Sequence, residues 1–143
     1  MGRDINLSLV KALGAVPALG SLDDEAALRV VGAATNLLWR AGSRVFEAGA
    51  PAEGLYIVLS GKVQIIDEQA DGVVVAELGP GEFFGELSIL LDTVHARSAL
   101  VVEDSELLVL PRESFQRLLE EDEDFGAQIH HIVERRLPGG AAR

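Results

Sequence analysis

Along most of the chain apolar residues come in short bursts, at Leu37–Trp39, Leu55–Leu59, Val63–Ile66, Val73–Leu78, Ala99–Val102 and Leu107–Leu110, each closed off by Gly, Pro, Asp or Ser. Bursts of that length and spacing predict the strands of a β-sandwich or barrel. Between two of them, Ala70-Asp71-Gly72 predicts a hairpin, since Asp-Gly accepts positive φ. Towards both ends the period changes. Ser21 followed by Asp24 predicts a capped helix start, with Leu22, Ala26, Arg29 and Val30 at helical spacing. Further on, Phe115, Leu118 and Leu119, then Phe125, Ile129, Ile132 and Val133, put apolar side chains on one face of two helices. The pattern predicts a mainly β domain with flanking helices, a helix-flanked jelly roll.

Composition narrows this to one domain, because 143 residues that are 48% apolar supply one core and not two. The formal charge of −11 argues against direct nucleic-acid binding, which needs basic patches. The chain has no cysteine, so no disulfide framework exists, and a reducing, cytoplasmic setting fits. No apolar run approaches the ~18 residues of a membrane span. Residues 7–20 have a faint signal-like tone, but Lys11 and Pro17 interrupt them and a short amphipathic helix is the better reading.

The richest stretch chemically is Gly79–Val101. It reads as a turn, one helical turn opening at Gly85-Glu86, then a loop and a strand that carries a basic residue. Backbone N–H groups at a helix start, a carboxylate beside them and an Arg or His opposite suit a small phosphorylated sugar. Phe84-Gly85-Glu86-Leu87, and the Arg97-Ser98-Ala99-Leu100-Val101 phrase after it, resemble the phosphate-binding cassette of the cyclic nucleotide-binding domain family. The likeness extends upstream over Ala41–Val63, with its Val-Phe-x-x-Gly and Leu-Tyr-Ile-Val phrases, and downstream over Glu103–Phe115. It implies a jelly-roll β-roll with N-terminal helices, a short cassette helix and C-terminal helices. The expected boundaries are a helical lead-in at 6–33, a β-roll at 35–111 and C-terminal helices at 112–137, which together make the domain 1–137, with 138–143 as a flexible tail.

What the resemblance implies about the site can be stated residue by residue. Glu86 would accept the ribose 2′-hydroxyl, Gly85 would let the backbone come close, and the amides of Leu87 and Ser88 would face the cyclic phosphate. The phosphate arginine of the family falls on His95, with Ala96 next, when the cassette is aligned without gaps. Aligned on the local phrase it falls on Arg97, with Ser98 beside the phosphate or a guanine. Residues 95 and 97 share parity, so on extended chain both point to one face. Arg97 is the expected phosphate contact, since a guanidinium brings a permanent charge and a fork of donors that neutral His lacks. A pocket relying on His95 alone would bind weakly at neutral pH, and better below about 6.5 if the ring is unperturbed. The base would pack on Val74 or Leu78, or under Ile129 and Ile132.

Other features carry less. Gly49, Gly54 and Gly61 read as structural glycines of the roll. His130 and Glu134 have i,i+4 spacing but no third ligand, so no metal is expected. Three His, two of them adjacent, do not supply a cupin-like metalloenzyme, and no Gly-x-Ser-x-Gly nucleophile motif occurs. The expected function is therefore non-enzymatic: a sensor that binds cAMP or cGMP, needs no other cofactor, and signals by moving its C-terminal helices. The alternative is a degenerate roll that binds no nucleotide and serves dimerisation or protein docking. The expected partner is an unknown effector protein or a domain missing from this chain, because Leu137-Pro-Gly-Gly leaves no room for a DNA-reading motif. The apolar face of the last helix also allows a homodimer.

Overall fold

The computed structural model describes residues 19, 20 and 22–136, apart from the side chains of Arg135 and Arg136. Helix α1 (Asp24–Ala33) begins where Asp23 caps it, with the Asp23 carboxylate accepting the Ala26 N–H at 2.8 Å. The cap is thus Asp23; Ser21, the expected one, lies outside the described residues, as does most of the lead-in from residue 6. Strands β1 (Thr35–Trp39) and β2 (Arg44–Phe46) follow, then β3 (Gly54–Asp67), a 3₁₀ turn at Glu68–Ala70, β4 (Val73–Leu78) and β5 (Phe83–Phe84). Helix α2 (Glu86–Leu90), strand β6 (Ser98–Pro111) and helices α3 (Arg112–Glu121) and α4 (Glu123–Arg136) complete the order.

The sheet is antiparallel and runs β1-β6-β3-β4, with β2 also paired to β6 and β5 to β3. The Asp71-Gly72 hairpin forms as expected, both residues at positive φ, and joins β3 to β4. Two expectations need correcting. The bursts at 55–59 and 63–66 are one strand, β3, and those at 99–102 and 107–110 are one strand, β6. The punctuation between them makes a bulge rather than a turn. Around it the pairing shifts, so that Ser60 faces Glu106 and Lys62 faces Glu103. Ser105 fills the gap in the ladder: its hydroxyl accepts the Lys62 N–H at 3.0 Å and donates to the Glu103 carbonyl at 2.7 Å. The bursts also missed β2 and β5, which are too short to show a period.

Alternation along these two long strands builds two cores. Ile57 and Leu108 face the helices, where they meet Val30, Phe115, Phe125 and Ile129. Their neighbours Val58 and Leu107 face the interior of the roll, with Val63, Ile65, Leu78, Phe84, Ala99 and Val101. Both faces of the sheet are therefore covered where the long strands pair. The apolar stripes read from the sequence supply the helical side: Phe115 and Leu118 from α3, and Phe125, Ile129 and Val133 from α4, are buried. Each such side chain contributes about 1.5–3 kcal/mol on burial.

At the bulge Gly61 has φ +93°, and a Cβ there would lie 2.1 Å from Ser105 Oγ and 2.6 Å from Ser105 Cα. Both the backbone conformation and the packing exclude a side chain. Gly61→Ala is expected to lower unfolding stability by roughly 2 kcal/mol or more. Urea denaturation measures this, and a change within about 0.5 kcal/mol would mean that the bulge is not strained as described.

Candidate functional site

A turn at Gly79–Glu82, closed by the Glu82 N–H on the Gly79 carbonyl at 3.1 Å, delivers β5 alongside β3 with Phe84 opposite Tyr56. The chain then swings through Gly85, at φ 91° and ψ −5°, into α2. A Cβ on Gly85 would stand 3.0 Å from the Gly54 carbonyl oxygen and 3.2 Å from Tyr56 Cδ1. Glycine is demanded twice here, by the left-handed backbone and by the close approach to β3.

Beside this turn is a cavity of about 30 Å³. Phe46 and Ile65 line it from β2 and β3, and Phe84, Gly85, Leu87 and Ser88 from β5 and α2. His95, Ala96 and Arg97 close it from the segment that leads into β6. The volume admits about one water, whereas sites for drug-sized ligands run to about 300–1,000 Å³.

Aromatic rings form much of the wall. Phe84 stacks on Tyr56 at 5.1 Å between ring centroids and tilts against Phe46 at 5.9 Å. The imidazole of His95 lies flat on Phe46, 3.6 Å between centroids and 5° between planes. Only 3% of His95 is exposed. Its Nδ1 is 3.0 Å from the Ser88 hydroxyl, while Nε2 is buried without a hydrogen-bond partner. Burial pushes the His95 pKa down to about 4, so the ring is neutral near pH 7. The value near 6.5 applies to an unperturbed ring, and burial makes this ring a perturbed one; desolvation was not legible without the fold.

Arg97 is the cation at the cavity. Its side chain is about a quarter exposed, with Nη2 3.8 Å from an Asp67 carboxylate oxygen and Nε buried without a partner. Asp67 also accepts the Gln69 N–H at 3.0 Å, which holds its carboxylate in place at the end of β3. A partly exposed pair at that distance is worth little, so Arg97 is held loosely and can exchange Asp67 for another anion.

The structure thus brings Phe84, Gly85, Leu87, Ser88, His95, Ala96 and Arg97 to one cavity. Three other candidates do not line it. Glu86 is buried, with its carboxylate accepting the Leu87 N–H at 3.2 Å. Ser98 is buried too, and its hydroxyl accepts the Ala48 N–H at 3.0 Å, because one step along an extended chain reverses the side-chain direction set by Arg97. Val74 is half-exposed on β4. Leu78 and Ile129 belong to the roll core and the helical core respectively, and Ile132 packs against the latter. Sequence reasoning missed Phe46, Ile65 and Asp67. Phe46 stood in the upstream phrase and Ile65 in an apolar burst, but nothing in either marked them as facing the cassette. Among the described residues no group of three or more His, Asp or Glu could hold a metal, and His130 and Glu134 make an exposed pair at 3.0 Å.

Comparison with known proteins identifies the domain. The family model described as the cyclic nucleotide-binding domain matches residues 37–122. The chain is 37% identical over 102 residues to the cyclic AMP receptor protein of Thermus thermophilus, covering 70% of this chain and 47% of that protein. It is 34% identical over 99 residues to a lysophospholipase of Chaetomium globosum, covering 68% of this chain but 6% of the enzyme. The chain thus spans less than half the length of these relatives. Among solved structures, the sensor domain of the transcriptional regulator DNR from Pseudomonas aeruginosa superposes with a TM-score of 0.84 at 19% identity, covering 94% of this chain and 91% of that one. At that identity the likeness speaks for the fold.

Because folding lowers the His95 pKa, the unfolded chain binds the extra proton between about 4 and about 6.5. The neutral ring therefore contributes stability that is fully present above about pH 6.5 and is lost as the pH falls towards 4. His95→Gln is expected to flatten the decline in melting temperature over that window, and the ring resonances of His95 in the wild-type chain should titrate near pH 4. A midpoint near 6.5 would show that water reaches the ring.

Proposed function

The chain belongs to the cyclic nucleotide-binding domain family, and on that premise we propose that it is a regulatory sensor for cAMP or cGMP which holds the cyclic phosphate on Arg97. The observation that carries this reading is the placement of Arg97 on the cavity beside Gly85 and Ser88, with an unpartnered Nε and a weakly held carboxylate neighbour. The strand that follows supports the frame in which Arg97 is the phosphate residue. Ala99 and Val101 of the Arg97-Ser98-Ala99-Leu100-Val101 phrase are fully buried in the roll, opposite Ile65 and Val63. Ser88 adds a hydroxyl to the same wall, and Phe46 and Ile65 add apolar surface.

Signalling is read from what stands behind α2. Leu87 lines the cavity and also belongs to the core that holds Ile89, Phe115, Leu118, Phe125 and Ile129. The loop after α2 is tied to α3 by the ion pair of Asp92 with Arg112, and Arg112 N–H is held 2.9 Å from the Glu53 carbonyl. A ligand that displaces Leu87 and Ile89 disturbs the core they share with α3 and α4, which is the route proposed for the signal. A ligand that prefers the disturbed packing shifts the equilibrium towards it by its differential affinity. The effector that reads α3 and α4 stands outside this domain, and no reaction is assigned to the domain itself.

Isothermal titration with cAMP and with cGMP at pH 7.5 tests the reading. At least one is expected to bind with a Kd in the micromolar range or below. Arg97→Ala should weaken it about ten- to a hundredfold, the equivalent of a lost charge-assisted hydrogen bond of about 1.5–3 kcal/mol. Equal affinity in the variant would remove Arg97 from the phosphate. Absence of binding with either nucleotide would leave a roll that has kept its fold for protein contacts.

A further inference from the structure

We infer that His95 is a second phosphate-contacting group, and that this domain takes up a proton when it binds its nucleotide. The inference rests on the cyclic-nucleotide reading above and adds to it a residue and a linkage.

The geometry comes first. His95 and Arg97 line the same cavity from two positions on one segment. The stack on Phe46 fixes the imidazole plane and the Ser88 hydroxyl at Nδ1 fixes which edge faces it, so a tilt forfeits the stack and a flip forfeits the hydrogen bond. What remains is Nε2, buried and unpaired. A buried polar atom with no partner is uncommon, and here it belongs to a cavity wall that also holds the cation. Ser88 suits either protonation state, because a hydroxyl donates to a bare Nδ1 and accepts from a protonated one. With Nδ1–H donating to Ser88, Nε2–H is left to donate to an anion.

Charge decides when that proton arrives. The elements packed against the ring carry Glu86 on α2, Arg44 and Glu47 at β2, Tyr56 on β3 across the aromatic wall, and Arg97 with Asp67. Arg44 is committed to Glu68 at 2.6 Å. None of these perturbs the ring; burial alone keeps it neutral in the free protein. A cyclic phosphate carries a permanent negative charge, and seated between His95 and Arg97 it reverses the balance by favouring imidazolium. The proton comes from solvent, since the ligand has none to give. The pocket then offers two cationic donors instead of one, and the cost is linkage to pH.

Proton uptake is measured by titrating the whole wild-type chain with the bound nucleotide at pH 5.5 in acetate and in MES, whose protonation enthalpies differ. About 0.5–1 proton is expected to be taken up per nucleotide, with affinity rising up to about tenfold per pH unit below neutrality. His95→Gln should keep binding and lose the uptake, whereas exchange of the exposed His130 and His131 for Gln should change neither. Binding with less than about 0.1 proton taken up would overturn the proton linkage and the imidazolium contact, and leave Arg97 as the charged phosphate contact. No binding at all would overturn the cyclic-nucleotide reading, and this inference with it. If the His95 variant does not fold, the His95 ring resonances of the wild-type chain at pH 5.5, followed with and without nucleotide, decide the matter: a purely structural His95 stays neutral in both, whereas Asp67 released by Arg97 would take up a proton without moving them.

Discussion

The pairing of β3 with β6 is the interaction on which the rest of the molecule depends. The two strands are antiparallel from Gly54 opposite Pro111 to Ile66 opposite Ser98, and every other strand of the sheet attaches to one of them. Because successive residues on each face opposite ways, the same pair builds the core of the roll and the core beneath the helices. It also sets the site. One end of β3 puts Gly54 under Gly85, and the other end brings Ile65 and Asp67 to the point where Arg97 leads into β6. A slip of one residue would invert both cores and carry Arg97 away from the cassette.

Electrostatically the site works against its surroundings. The chain carries a net charge of −11, which disfavours an anion at long range. What favours one is local: a guanidinium held only by a distant carboxylate, and a ring nitrogen sealed from water. Screening weakens the long-range term at physiological salt, whereas contacts inside a cavity are screened much less. A sequence-wide charge count that argues against a nucleic-acid surface therefore does not argue against a small phosphate.

The cassette and the helical core share a side chain, and the proposed coupling of ligand to helices rests on it. Leu87 belongs to the cavity wall and to the core of Phe115 and Phe125, and close-packed cores have discrete arrangements in place of a continuous range. The smallness of the cavity fits this view. With His95 stacked on Phe46, little space is left beside the cassette.

By itself the sequence determined the class of fold, the Asp71-Gly72 hairpin, the helical turn opening at Gly85 and the two C-terminal amphipathic helices. Each of these is local: it follows from a period, a turn dipeptide or a backbone conformation that few residues adopt. It also brought His95 and Arg97 forward together, since residues two apart on extended chain share a face. Only the tertiary structure decided the rest. That Ser60-Gly61-Lys62 is a bulge inside one strand depends on Ser105, which lies 43 residues from Lys62. That Ser98 is spent on Ala48, Arg97 leans on Asp67 and His95 stacks on Phe46 depends on strands that meet only when the sheet closes. The neutral state of His95 is the clearest case, because a pKa lowered by burial is a property of the shell around a residue, and the shell is written in no single stretch of chain.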